Sequence, residues 1–226
     1  MVLRLADSVW WYDLSGTNAY LVDDEGTVTL IDAGMPWHGN RIIGGLGDAG
    51  FELRDVDRIL LTHYDVDHAG GLSAFDGVDL TIYAGTADRP LVTRERAPPL
   101  SNHKGLIQRL GRPFVPAPAN PVETVADGDT VGSFTVHHTP GHTPGHVCYV
   151  SESLSVALLG DLLRESGGRL KPSPWLVSYD TDDVASSIRS LADDAPDFGA
   201  AGMGHGVPFS TGGSDRLSAV ADTLSR

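Results

Sequence analysis

The sequence predicts an α/β fold in which two β-sheets pack face to face with helices outside. Three observations lead there. Strand-like segments followed by a helix-like one occur twice along the chain. The polar residues best suited to chemistry fall just after the strands, where loops on a rigid scaffold carry function. Finally, 226 residues with 41% hydrophobic content can supply one core of packed layers, so residues 1–226 are expected to form a single domain.

The opening reads as a β-meander. Residues 8–12, 17–22 and 27–31 are rich in Val, Leu, Thr and aromatics and are separated by Ser15-Gly16 and Asp23-Asp24-Glu25-Gly26 turns. Asp32-Ala33-Gly34 ends the third strand, and a glycine-containing helix follows over about 39–49. Residues 57–62 form a nearly continuous apolar run, as expected of a strand covered on both faces. Residues 94–121 hold Pro98, Pro99, Pro113, Pro116, Pro118 and Pro121, which argues for a surface excursion without regular structure and a candidate substrate lid. Strand patterns return at 130–138, 146–151 and 156–159. A helix over 180–191 has Thr181 as its expected cap, and Val184, Ile188 and Leu191 recur at helical spacing. A short strand at 199–203 and a helix at 215–224 follow.

The formal net charge of −14 repels phosphate backbones and anionic headgroups, so neither nucleic acid nor a membrane surface is expected as a partner. Asp outnumbers Glu, and of 16 basic residues only Lys104 and Lys171 are lysines, a composition suited to a salt-adapted, halophilic surface. Cys148 is the one cysteine, which excludes an intrachain disulfide and a thiolate metal cage. No signal-peptide pattern and no uninterrupted apolar run of about 18 residues is present, so a cytoplasmic protein is expected.

Chemistry concentrates in His63-Tyr64-Asp65-Val66-Asp67-His68, which places two imidazoles and two carboxylates within six positions. These are donors for a divalent metal. Thr139-Pro140-Gly141-His142-Thr143-Pro144-Gly145-His146 sets His142 on a tight turn after a strand. Gly160-Asp161 and Gly204-His205-Gly206 add a carboxylate and a histidine, each at a strand's end. The set, in this order, resembles the metallo-β-lactamase superfamily, and residues 139–146 with Gly160-Asp161 especially resemble its glyoxalase II-like branch.

The resemblance implies an αββα sandwich with metals at one edge between the sheets. It places His63, Asp65 and His142 on one ion and Asp67, His68 and His205 on the other. Asp161 bridges both, and Asp32 braces the ligands. The departure is Asp65, where the family usually has histidine. A histidine there would be the better zinc donor, while a third carboxylate moves the preference toward iron or manganese. The cofactor expected is therefore two divalent metal ions, zinc foremost, with iron or manganese as alternatives.

Such ions can share a water and lower its pKa toward neutrality, with Asp67 as the catalytic residue that orients the resulting hydroxide. The expected activity is hydrolysis of a small ester-like substrate: a thioester, a lactone or a related compound. A glyoxalase II substrate proper is not expected, since its helical extension would not fit in the 21 residues after His205. Alternatives are a di-iron protein reducing oxygen or nitric oxide with a separate electron donor, and a non-catalytic binding protein. Trp37, Arg169 and Tyr179 are the candidate substrate contacts; His146 is expected to be structural and Cys148 a small apolar residue. The partner expected is a small molecule, and the assembly considered is a homodimer.

Overall fold

The computed structural model describes residues 1–224. Seven strands form one sheet in chain order: β1 (Val2–Ala6), β2 (Val9–Asp13), β3 (Asn18–Asp24), β4 (Thr27–Ile31), β5 (Val56–Leu61), β6 (Thr81–Gly85) and β7 (Val122–Val125). Strands β1 to β4 pair antiparallel, and β4 to β7 pair parallel. Parallel neighbours need crossovers. These carry α1 (Gly39–Gly45), α2 (Val66–Ala69) and, between β6 and β7, both α3 (Arg89–Val92) and α4 (His103–Gly111).

The second sheet comprises β8 (Thr130–Val131), β9 (Phe134–His138), β10 (Val147–Ser151), β11 (Val156–Leu158) and, beyond β11 on its edge, a later strand at Ala200–Gly202. Strands β12 (Leu163–Glu165) and β13 (Leu170–Pro172) form a separate hairpin. The Ala200–Gly202 strand, β14, lies parallel to β11 after the crossover helix α5 (Thr181–Asp194). Helix α6 (Gly213–Leu224) packs on α5.

Three apolar layers explain the stacking. Val9, Tyr20, Val22, Ile31 and Leu60 of the first sheet meet Phe134, Val136, Val147, Tyr149 and Leu158 of the second. Leu21, Leu30, Ile59 and Leu61 point the other way, toward Ile42 and Leu72. Cys148, Val150 and Ala157 face Val184, Ile188, Leu191 and Leu217 of α5 and α6. Alternation along each strand thus feeds a core on both faces of both sheets, which is the αββα sandwich.

Several expectations need correction. The 94–121 stretch contains α4, because its prolines cluster before residue 100 and after 112 and leave the span between them free. Strands β1, β6, β7, β12 and β13 were not anticipated. The 130–138 strand is split by a tight turn whose Gly132 has φ +62°. Helix α5 is capped by Asp180 rather than Thr181: its carboxylate accepts from the backbone N–H of Asp182 (2.8 Å) and of Asp183 (3.2 Å). Among the described residues no helix is long and apolar enough to cross a membrane.

Candidate metal centre

Strand β5 ends in the histidine loop. His63 leaves the sheet edge, Asp65 is extended, and the single turn of α2 then carries Asp67 and His68. Gly71 behind α2 lies so close to the Ala33 carbonyl that a side chain would collide with it, which lets the turn sit down on the sheet. His142 comes from the turn between β9 and β10, Asp161 from the end of β11, and His205 from the end of β14. The first sheet therefore supplies four donors and the second supplies three, across the seam between the sheets.

These donors form two poles. At the first, His63 Nε2 and His142 Nε2 lie 3.3 and 3.1 Å from Asp65 Oδ2, and His142 Nε2 lies 3.5 Å from Asp161 Oδ2. At the second, His205 Nε2 is 3.4 Å from Asp67 Oδ2, and His68 Nε2 is 3.8 Å from the same oxygen. Asp161 joins them, with Oδ2 3.1 Å from His205 and Oδ1 3.3 Å from His68. Donors sharing one zinc at 2.0–2.1 Å in a tetrahedron stand about 3.3 Å apart. The groups His63–His142–Asp161 and Asp67–His68–His205 are each compact enough for one ion.

Among the described residues, buried His63 Nε2, His68 Nε2 and Asp161 Oδ1 find no hydrogen-bond partner. Unsatisfied buried polar atoms are costly and rare. Three of them converging at one spot, with lone pairs turned inward, fit divalent cations.

The outer sides of the ligands are held. Asp32, at φ +59° where β4 ends, accepts from His68 Nδ1, from the Thr62 N–H and from the Thr62 hydroxyl, all at 2.8 Å. The Thr62 hydroxyl in turn accepts from His63 Nδ1 at 3.0 Å, so Asp32 holds His68 directly and His63 through Thr62. Ser173 Oγ lies 2.8 Å from His142 Nδ1, and His205 Nδ1 donates to the Gly16 carbonyl at 2.6 Å. His146 is structural: its Nε2 accepts the Asp161 backbone N–H at 3.0 Å and its ring is held by Thr139.

Charge separates the poles. Burial would raise the Asp65 carboxyl, but the Lys104 ammonium, the hydrogen bond from His142 and the nearby His63 hold it well below the carboxylate range. Burial, followed by Lys104, lowers His142 to about 4. Burial acts on His205 in the same sense, but Asp161 outweighs it and raises that histidine to about 9. His68 is likewise raised, against burial, by Asp161, Asp32 and Asp67. Burial pushes the Cys148 thiol up to about 12, which leaves it an apolar strand residue.

The poles open into a pocket of about 460 Å³ whose apolar wall includes Tyr64, Val66, Ile107, Val115, Pro174 and Val177. Of the anticipated substrate contacts none lines it. Trp37 is exposed and borders a neighbouring groove that reaches Asp67. Arg169 lies on the β12–β13 hairpin beside α6. Tyr179 stands behind α4, its hydroxyl donating to Gln108 Oε1 at 2.6 Å.

Sequence reasoning missed Lys104, Gln108, Ser173 and Asp88. Asp88 is buried and ties the two motif loops together, accepting from the Tyr64 N–H (2.8 Å), the Thr143 hydroxyl (2.7 Å) and the Gly145 N–H (3.0 Å). The one sequence signal for Lys104 was its rarity, together with Asn102 as a helix cap.

The comparisons agree with this fold. Uncharacterized protein YobT of Bacillus subtilis (strain 168) is 30% identical over 204 residues, 83% of this chain and 82% of its own. The crystal structure of metallo-beta-lactamase family protein TTHA1429 from Thermus thermophilus matches at TM-score 0.73 and 24% identity, covering 98% of this chain and 81% of that one. TTHA1623, in a di-iron-bound form, matches at TM-score 0.67 and 26% identity over 93% of this chain and 96% of that one. The family model of the metallo-beta-lactamase superfamily matches residues 12–198, and the chain belongs to that superfamily.

Proposed function

We propose that this protein is a hydrolase of a small ester-like substrate, a thioester, a lactone or a related compound, in the manner of the glyoxalase II-like branch. The observation that carries the reading is the set of unpartnered buried ligand atoms at the floor of an apolar-walled pocket. Two divalent ions, zinc foremost, would be held by His63, Asp65, His142 and Asp161 and by Asp67, His68, His205 and Asp161. When bound they supply Lewis-acid polarisation of the substrate and an acidified water.

The rest of the chemistry belongs to the chain. Asp67 is the partly exposed carboxylate of the set and lines the pocket, so it can hold the attacking water by hydrogen bonding and receive its proton. Tyr64, Val66, Ile107 and Val177 exclude solvent and accept the apolar arm of the substrate, which orients its carbonyl toward the floor. The net charge of −14 supports a small molecule over nucleic acid as the substrate.

The test is metal quantification, on protein purified without a nickel column, alongside a screen of thioesters, lactones and simple esters. Zinc with turnover that a chelator abolishes supports the proposal; a metal-replete protein inert to all three classes overturns the substrate class. A di-iron redox protein is the second reading, favoured by the extra carboxylate Asp65 and by the similarity to TTHA1623 in its di-iron form. Iron content with oxygen or nitric oxide consumption would select it.

A further inference from the structure

Lys104 is one of only two lysines in the chain, and it is buried. An ammonium out of water needs a partner. Its Nζ donates to Asp65 Oδ2 and lies 3.4 Å from His142 Nε2. That same Oδ2 faces His63 and His142. One carboxylate oxygen thus serves both the lysine and whatever cation the first pole takes.

The placement is enforced. Asn102 Oδ1 accepts the Lys104 backbone N–H at 2.8 Å while Asn102 Nδ2 donates to the Tyr179 carbonyl at 2.9 Å. One turn on, Gln108 Nε2 donates to the Tyr64 carbonyl and Gln108 Oε1 accepts from Tyr179. Gly105 sits so tightly against the Pro99 carbonyl that no side chain would fit there. Helix α4 is therefore clamped onto the metal loop from both ends of its inner face, with the lysine pointing in.

The two poles otherwise match. Each has two imidazoles, one aspartate of its own and a share of Asp161. Two charges differ: Lys104 adds a positive one at the first pole, and at the second the Asp32 carboxylate accepts directly from His68 Nδ1. Arg164 lines the same pocket, but among the described residues no ion pair joins it to a ligand. A point-like ammonium on a flexible stem suits this position better than a planar guanidinium, in a chain that elsewhere favours arginine.

We propose that Lys104 is a built-in counter-cation of the His63–Asp65–His142 pole, which makes that pole the weaker of the two and fixes the order of filling, the Asp67–His68–His205 pole first. The lysine and the incoming ion repel each other and compete for one oxygen of Asp65. The protein then carries one tightly held ion and one that exchanges with its surroundings. This rests on the two-ion reading above.

The test is zinc titration of the full chain against a chromophoric chelator, with stepwise affinities for the wild type, Lys104→Met, Lys104→Gln, His142→Ala and His205→Ala. At pH 9, where proton competition at His205 no longer masks the difference between the poles, the wild type is expected to show two steps at least a hundredfold apart. His142→Ala should delete the weak step and His205→Ala the tight one. Lys104→Met or Lys104→Gln should tighten the weak step tenfold or more while moving the tight step less than threefold. The two histidine variants keep Lys104, so they test the order of filling even if the lysine variants fold poorly. Two equal wild-type steps, or a weak step unchanged or loosened without the lysine, overturns the inference and leaves the metal centre standing. A chain that binds no zinc at all overturns both.

Discussion

Asp65 accepts from Lys104 while facing His63 and His142, so its carboxylate answers to two cations at once. Residue type alone suggests that histidine at 65 would improve zinc binding; the structure adds that the exchange also removes the partner of Lys104. Asp65→His strands a buried ammonium, which costs about 3–5 kcal/mol when its partner is removed. Denaturant unfolding of the metal-free protein should show this loss, and Asp65→His combined with Lys104→Met should recover most of it. Asp67 differs in facing the pocket, and Asp67→Asn should keep most of the metal while lowering kcat by two or more orders of magnitude, read by metal analysis beside kinetics. His205, raised to about 9, must lose its proton to bind an ion. Below 9 the proton competes with the metal. Because His68 at the same pole is also raised, affinity there should rise by at least about tenfold per pH unit from 7 toward 9, with proton release seen in calorimetry in buffers of different ionisation enthalpy.

Helix α4 shows why one element escaped the sequence. Its buried residues are Lys104, Gly105 and Gln108, while Leu106, Ile107 and Leu110 are exposed. That is the reverse of the apolar-inward stripe by which a helix is recognised and oriented. Flanking prolines hid it further. The turn joining β9 to β10 was legible from Pro140, Gly141, Pro144 and Gly145, but its tether was not. Asp88 stands 24 residues beyond Tyr64 and reads as an ordinary acidic position. Asp88→Ala leaves two backbone N–H groups and a hydroxyl without an acceptor in the interior, at a cost of about 3 kcal/mol. A melting temperature lower by about 10 °C is the expected result for a chain of this size.

At the scale of the whole molecule, the net charge of −14 opposes the compact state through carboxylate repulsion. Screening shortens its reach from about 10 Å at 0.1 M salt to about 3 Å at 1 M. The melting temperature should therefore rise markedly between dilute buffer and molar potassium chloride. A flat profile would remove the salt-adapted reading without touching the metal centre. The seam between the two sheets also belongs to this scale. Tyr20 in the first sheet donates to the Met203 carbonyl at 2.7 Å, and Tyr149 in the second donates to the Leu61 carbonyl at 3.0 Å. These bonds fasten each sheet to the strand ends that carry the ligands, so the spacing of the poles depends on the packing of the entire sandwich.

The residues by themselves determined the layered fold and pointed to its candidate donors. Period-two alternation marks sheet faces, and His, Asp, Gly and Pro in short motifs mark strand-end loops, so both are local signals that one chain displays unaided. His63, Asp67, His68, His142, Asp161 and His205 were legible for that reason. The sharing of donors between poles and the place of Asp32 came with the family resemblance, while tertiary structure alone decided the bracing by Ser173 and Gly16 and that Lys104 would reach Asp65 across 39 residues. Those pairings arise from the closing of two sheets and the clamping of α4. Sequence spacing carries no record of either, because a buried charge finds its partner by distance in space.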